Sequence, residues 1–196
     1  MRLERNKGFE VLKNSLSQSH EYVKAVVKTG DTVIDATAGN GNDTVFLSEL
    51  VGSSGKVYSF DIQKQAIDNT REKLIKKGLL DNVVLINDGH QNMDKYIRGP
   101  VSTVMFNLGY LPGGDHSIGT RGETTREALE KAIQLLKVNG LISLIIYYGG
   151  DSGFEEKEYI VDYIKTIDYK RYSVMVSDFV NQINCPPILV CIEKLY

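Results

Sequence analysis

The run "VIDATAGNGNDT", residues 33–44, decides how this chain is read. Val33 and Ile34 have the branched side chains of a buried strand, and Asp35 stands at its end as an acceptor. Gly39 and Gly41 let the backbone turn sharply and approach a ligand, and "NDTVFLSELV", residues 42–51, then takes up helical spacing. Strand, glycine turn and helix start are the opening of a βαβ unit. The run is not the dinucleotide fingerprint: the third glycine is missing, and an acidic residue precedes the turn where a pyrophosphate needs neutral donors. A nucleotide-like ligand bearing an amino group fits this loop better than a diphosphate.

Outward from that unit the same grammar repeats. "TVIDAT", "VYSFDI", "VVLIND", "VSTVMFN" and "LISLIIYY" are nearly continuous apolar runs, as expected of strands covered on both faces. Between them, "KQAIDNTREKLIKKG" and "TTREALEKAIQLLKVNG" carry helical spacing; the second is expected to begin with Thr124 and Glu127 as a capping box and to stop at Gly140. The repetition predicts a doubly wound α/β sheet with right-handed crossovers. At the carboxyl-terminal end, "RYSVMVSDF" and "PPILVCIEKL" are joined by "VNQINC" with no helix between them, which predicts a closing antiparallel hairpin. Ahead of the sheet, Tyr22, Val23, Val26 and Val27 share one face of a helix expected over Glu21 to Lys28, a cover for the sheet edge or the ligand site.

Composition narrows the class. At 196 residues, 42% apolar and 24% charged, the chain reads as a single globular domain over 1–196, with 1–30 as its N-terminal helical cover. Neither a membrane span nor a signal peptide is expected, and the expected location is the cytoplasm. Cys185 and Cys191 are expected to be free thiols. A net charge of -2 gives no global field for nucleic acid, so any RNA contact must be local. His20, His90 and His116 are too scattered to propose a metal.

Ligands of doubly wound sheets sit at the carboxyl ends of the strands. Three consecutive units end there in carboxylates: Asp35, Asp61 and Asp88. A carboxylate at Asp61 suits a pair of ribose hydroxyls, and one at Asp88 suits an adenine amino group. The fourth strand delivers "FNLGYLPGGD", residues 106–115, a loop of little side-chain bulk behind an amide.

"DATAGNGNDT", "FDIQKQAI", "NDG" and "FNLGYLPGGD", together with "SHEY" near the start and "NQINCPP" near the end, resemble the class I S-adenosylmethionine-dependent methyltransferases. More narrowly, the chain is similar to a small bacterial family labelled rRNA methylases, whose members are associated with methylating the aminomethyl group of the tRNA wobble uridine. The resemblance implies a Rossmann-like, mostly parallel seven-stranded sheet with one antiparallel strand and helices on both faces. It implies S-adenosyl-L-methionine as cofactor and an RNA partner, the tRNA anticodon region, and leaves monomer and homodimer open.

Residue by residue, the resemblance implies that Asp35, Gly39, Asn40 and Gly41 surround the methionine part of the cofactor, with Asn42 and Asp43 adding helix-start contacts. Asp61 and Gln63 hold the ribose and Asp88 the adenine. Asn107, in "NLGY", stands where amino-directed methyltransferases carry an Asn/Asp-Pro-Pro-aromatic element, here with both prolines replaced. Its side-chain oxygen and the carbonyl of Leu108 are expected to accept from a substrate amine, and Tyr110 to stack on a base. Gly113 and Gly114 give a nucleotide close access to the backbone.

His90 lies near the expected cofactor edge but reads as a solvated loop histidine, and His20 enters as a substrate-site candidate only through the resemblance. Arg121, with Arg126, Lys170 and Arg171, is a candidate for phosphate contact or for a solvated helix start. Gln182 and Asn184 either read substrate edges or stabilise their turn. Two rivals stay open: methylation of rRNA or of a small-molecule amine, and a nucleotide-binding α/β module without catalysis.

Overall fold

A computed structural model describes residues 11–109, 121–149 and 153–196. Seven strands form one sheet in the order β3-β2-β1-β4-β5-β7-β6. They are β1 (Thr32–Asp35), β2 (Lys56–Phe60), β3 (Val83–Ile86), β4 (Val101–Leu108), β5 (Leu136–Ile146), β6 (Tyr172–Ser177) and β7 (Ile188–Lys194). Neighbours are parallel from β3 to β5, and β7 runs antiparallel to both β5 and β6. The predicted Rossmann-like sheet and its closing hairpin are both present. Strand order reverses between β1 and β4, which opens a crevice above their carboxyl ends.

Helices α1 (Ser15–Val26), α2 (Asn42–Val51) and α3 (Lys64–Lys77) belong to one face, where Val23, Leu47, Val51 and Leu74 pack on Val33, Val57, Met105 and Ile145. The short α4 (Met93–Tyr96), α5 (Gly122–Leu135) and α6 (Gly153–Ile164) supply the other, where Met93, Leu129, Ala132 and Ile160 meet Ile34, Phe60, Val104 and Leu144. Burial on both faces is why the central strands carry unbroken apolar runs.

Three local expectations are corrected. The first helix starts at Ser15, capped by the Asn14 side chain accepting from the Ser17 N–H, and its buried stripe is Ser15, Ser19 and Val23; Tyr22 is exposed. Periodicity misses the two serines because they look polar. Their hydroxyls are satisfied inside: Ser19 shares a 2.6 Å hydrogen bond with Ser143 of β5, and Ser15 donates to the Pro187 carbonyl. Small side chains there let α1 lie close against β5 and β7.

Helix α5 ends at Leu135, not Gly140, because Leu136 already pairs with Val101 of β4. The next pairing is Thr103 with Leu141, so residues 137–140 form a bulge in which Asn139 has a φ of 60°. Nor is Thr124 a cap. Arg121 occupies that position, and the Thr124 hydroxyl donates back to the Arg121 carbonyl. The sequence reading makes no prediction for α4 or α6.

Candidate active site

The crevice is a cavity of about 810 Å³, walled by the carboxyl ends of β1, β2, β3, β4 and β5 and described residues just beyond them. Its first wall is the β1–α2 turn. Gly39 has a φ of 51° and Gly41 of 74°, and Gly41 lies behind the wall rather than on it. A Cβ at Gly41 would stand 2.9 Å from Thr70 Oγ1, so the glycine allows α3 to press against the turn. Thr70 also donates to the Gly39 carbonyl. Asn40 and Asn42, both lining the cavity, accept from Asn69 and Lys73 of α3.

Asp35 lies beneath this wall. It is 1% exposed and takes hydrogen bonds from the Thr44 hydroxyl at 2.5 Å and the Thr37 N–H at 3.1 Å. Burial, with the Asp43 charge nearby, pushes its carboxyl up to about 7. Asp35 is therefore placed to hold the turn, not to face the cavity.

Asp61 does reach the cavity. One carboxylate oxygen accepts the Gly39 N–H and the other the Gln63 N–H, both at 2.9 Å, so Asp61 ties the end of β2 to the glycine turn. Burial raises its carboxyl above the ordinary value against the pull of those two bonds. Each oxygen keeps a lone pair for a ligand. Gln63 and Ile62 line the space beside it.

At the end of β3, Asp88 accepts from the Gly89 N–H, the Asn92 amide and the Tyr96 hydroxyl at 2.8 to 2.9 Å. Partial burial opposes its charge, but these bonds and Lys95 together hold the carboxyl below its usual range. His90 also lines the cavity and, contrary to the solvated-loop expectation, is only 9% exposed. Its Nδ1 donates to the Ala36 carbonyl at 3.2 Å, and its ring meets Phe106 edge-on. Burial pulls its pKa down to about 4, so the ring is neutral near pH 7. The 3-10 turn at His90–Asn92, tucked against α5, is a tertiary arrangement that sequence spacing does not display.

The fourth wall is the end of β4. The Asn107 N–H donates to Thr37 Oγ1 at 2.7 Å, and its carboxamide nitrogen donates to the Asp43 carboxylate. The carboxamide oxygen is buried and has no partner among the described residues. Leu108 lines the cavity too, but its carbonyl already accepts the Tyr147 N–H at 3.1 Å as part of the β4–β5 ladder. That carbonyl keeps its second lone pair, and the Asn107 oxygen keeps both among the described residues. Tyr110, Gly113 and Gly114 lie outside the described residues.

His20 is brought to the same corner by α1. Its Nε2 is 2.7 Å from Asp43, and its ring stacks on Phe46 at 3.9 Å. Tyr147 at the end of β5 completes the corner; burial, and then the Asp43 charge, push its phenol above the ordinary value. Sequence reading missed Tyr147, whose signal was its position ending "LISLIIYY". It also missed Leu16, Thr37, Gln91 and Thr124 on the wall.

Arg121 stands on the cavity wall. Arg126 is paired with Glu130 at 3.0 Å, and Arg171 lies over Tyr172. Gln182 and Asn184 are exposed in the β6–β7 connection and do not line the cavity, although Cys185 of that loop approaches Gly149 on its rim. Asn184 has a φ of 66°, which favours its turn-forming role. The two cysteines are free, and burial pushes the Cys191 thiol up to about 12.

Three carboxylates, Asp43, Asp61 and Asp88, line the cavity and suit a cationic ligand. Residues 57–193 match the sequence profile of the family described as "Putative rRNA methylase". The chain belongs to this rRNA methylase family.

Within the rRNA methylase family, a Clostridium thermocellum "putative rRNA-methylase" is 63% identical and superposes with a TM-score of 0.94, covering 94% of this chain and all of that one. The Streptococcus mutans methyltransferase SMU.1697c, solved in complex with SAH, is 43% identical with a TM-score of 0.87, over 94% of this chain and 100% of its own. A chloroplastic tRNA (mnm(5)s(2)U34)-methyltransferase of Arabidopsis thaliana is 42% identical over 158 residues, 76% of this chain. The match spans 58% of the plant protein's length.

Proposed function

We propose that this rRNA methylase family member is an S-adenosylmethionine-dependent RNA methyltransferase that methylates the amino group of 5-aminomethyluridine at the tRNA wobble position. The observation that carries the amine-directed reading is the carboxamide oxygen of Asn107, buried at the end of β4 beside the cavity and unpartnered among the described residues. An open acceptor in a desolvated corner favours a group with N–H bonds to give.

The cavity's residues fit the cofactor. Asp61 retains lone pairs for ribose hydroxyls, Asp88 and Ile62 flank the space suited to adenine, and the acidic wall favours a sulfonium and an ammonium group. When bound, S-adenosylmethionine supplies an electrophilic methyl group, which a neutral amine accepts as the thioether departs.

The chain's contribution is placement. Asn107 accepts an amine hydrogen and so aims the nitrogen lone pair, beside the fully buried side chain of Leu108. Arg121 meets RNA phosphate at the rim. The SAH complex of the Streptococcus mutans protein and the tRNA-directed name of the plant relative support this reading. A test is direct: purified protein, S-adenosylmethionine and tRNA bearing 5-aminomethyluridine, with nucleosides analysed by mass spectrometry. Gain of one methyl on that nucleoside is expected. Methylation of rRNA only, or of free amines only, would replace the substrate assignment.

A further inference from the structure

We infer that Asp43, held by His20 from the N-terminal helix, is a positioning residue that fixes the Asn107 carboxamide with its oxygen, and not its nitrogen, toward the reacting amine. The inference deepens the amine-methylation reading and rests on it for its catalytic consequence, though not for its geometry.

An ionised carboxylate only accepts hydrogen bonds. Asp43 faces the carboxamide nitrogen of Asn107 with one oxygen and His20 Nε2 with the other, at 2.7 Å. Turning the Asn107 amide over would set two oxygens against each other in a corner where Asp43 is 7% exposed, so the nitrogen is held on Asp43. The oxygen is thereby left on the opposite side, buried and unpartnered among the described residues. A freely rotating carboxamide would present its NH2 part of the time and repel an amine's hydrogens; the locked one presents an acceptor always.

His20 completes the lock. With Asp43 accepting, Nε2 carries the hydrogen and donates, and stacking on Phe46 fixes the ring plane. The helix that brings His20 is anchored by the buried Ser19–Ser143 and Ser15–Pro187 hydrogen bonds, so its distance from the corner is set by the sheet. Asp43 thus acts from the first turn of α2 through Asn107, a role distinct from holding the cofactor.

The first measurement needs no turnover. In the 15N spectrum of the full-length protein, the Asn107 side-chain NH2 pair, assigned by its loss in Asn107→Asp, is expected to be shifted and protected from exchange. In Asp43→Ala it is expected to move to the solvent-exposed region. A pair already at exposed positions in wild type, or unmoved in Asp43→Ala, overturns the inference.

The second uses single-turnover methylation. Asp43→Ala is expected to slow the chemical step by about 10- to 100-fold, as for a misplaced reacting group, a larger factor than its effect on S-adenosylmethionine affinity. His20→Ala is expected to lose less. Asn107→Asp sets two carboxylates together, and combining it with Asp43→Asn restores a donor against an acceptor at those positions. The exchanged pair is expected to turn over faster than Asn107→Asp alone, which loss of packing does not explain. An exchanged pair no faster than that single variant, or a parallel loss of cofactor affinity, overturns the positioning role. If wild type fails to methylate 5-aminomethyluridine, the substrate assignment falls while the spectrum still decides the lock.

Discussion

Asp61 is where the cofactor reading is most exposed to test, and Asp61→Asn is the sharpest change because it keeps shape and removes charge. In the fold, the carboxylate receives two backbone N–H bonds, from Gly39 and Gln63. An asparagine oxygen accepts one of them, and its NH2 then opposes the other donor. That loss is worth about 1 to 3 kcal/mol for a hydrogen bond to a charged group. Relief of the burial that raises the Asp61 carboxyl works in the opposite direction. The two nearly offset, so folding stability is expected to change by no more than about 1.5 kcal/mol on the same scale. Cofactor affinity has no such compensation. A ribose hydroxyl that donates to a carboxylate oxygen loses that acceptor, and the dissociation constant for S-adenosylmethionine is expected to rise by about 5- to 150-fold, the equivalent of about 1 to 3 kcal/mol. Urea denaturation reads the first quantity and calorimetric titration the second. A folded variant with unchanged affinity would refute the ribose assignment, and a collapse in stability would refute the offset argued from burial.

Three further outcomes are expected. Asp35, raised to about 7 from 3.8, contributes stability that is complete below pH 3.8 and lost as pH rises through 7; His90, lowered to about 4 from 6.5, contributes stability that is present above pH 6.5 and lost as pH falls through 4. The two oppose each other between pH 4 and 6.5, so urea midpoints should show Asp35→Asn weakening toward acid and His90→Gln strengthening toward acid, and matching slopes in both variants would contradict the pairing. Gly41→Ala should destabilise by about 2 to 5 kcal/mol, the sum of a left-handed non-glycine residue and a clash with Thr70, read by chemical denaturation; a neutral effect would show that α3 yields. Arg121→Ala should weaken tRNA binding and reduce the salt dependence by about one phosphate, with an unchanged slope placing the RNA elsewhere.

The sheet was legible because burial on both faces writes itself into composition. Continuous apolar runs such as "VSTVMFN" and "LISLIIYY" have no other stable place, and the spacing of intervening helices forces parallel pairing. Asp61 and Asp88 were legible as site candidates for a related reason: the carboxyl end of a parallel strand is where backbone pairing stops, and a charged residue there is free to meet a ligand. Boundaries governed by hydrogen bonds to distant residues were not legible. Ser15 and Ser19 look like surface residues until Pro187 and Ser143 are found to satisfy them, and Leu136 looks helical until it pairs with Val101.

What the sequence determined by itself was the kind of fold and the identity of the acidic strand ends, since both depend on local pattern and on the rule for ligand position in such sheets. Only tertiary structure divided the carboxylates by placement. Asp35 is turned under the loop by Thr37 and Thr44, Asp61 stays at the wall, and Asp43, one of several polar residues in the glycine turn, is drawn to Asn107 across 64 positions of chain. His20 gains its place in the same way, carried there by a helix seated on buried serines. The physical reason is that a carboxylate's function follows from which donors face it and how much water reaches it, and both are set by segments remote in sequence.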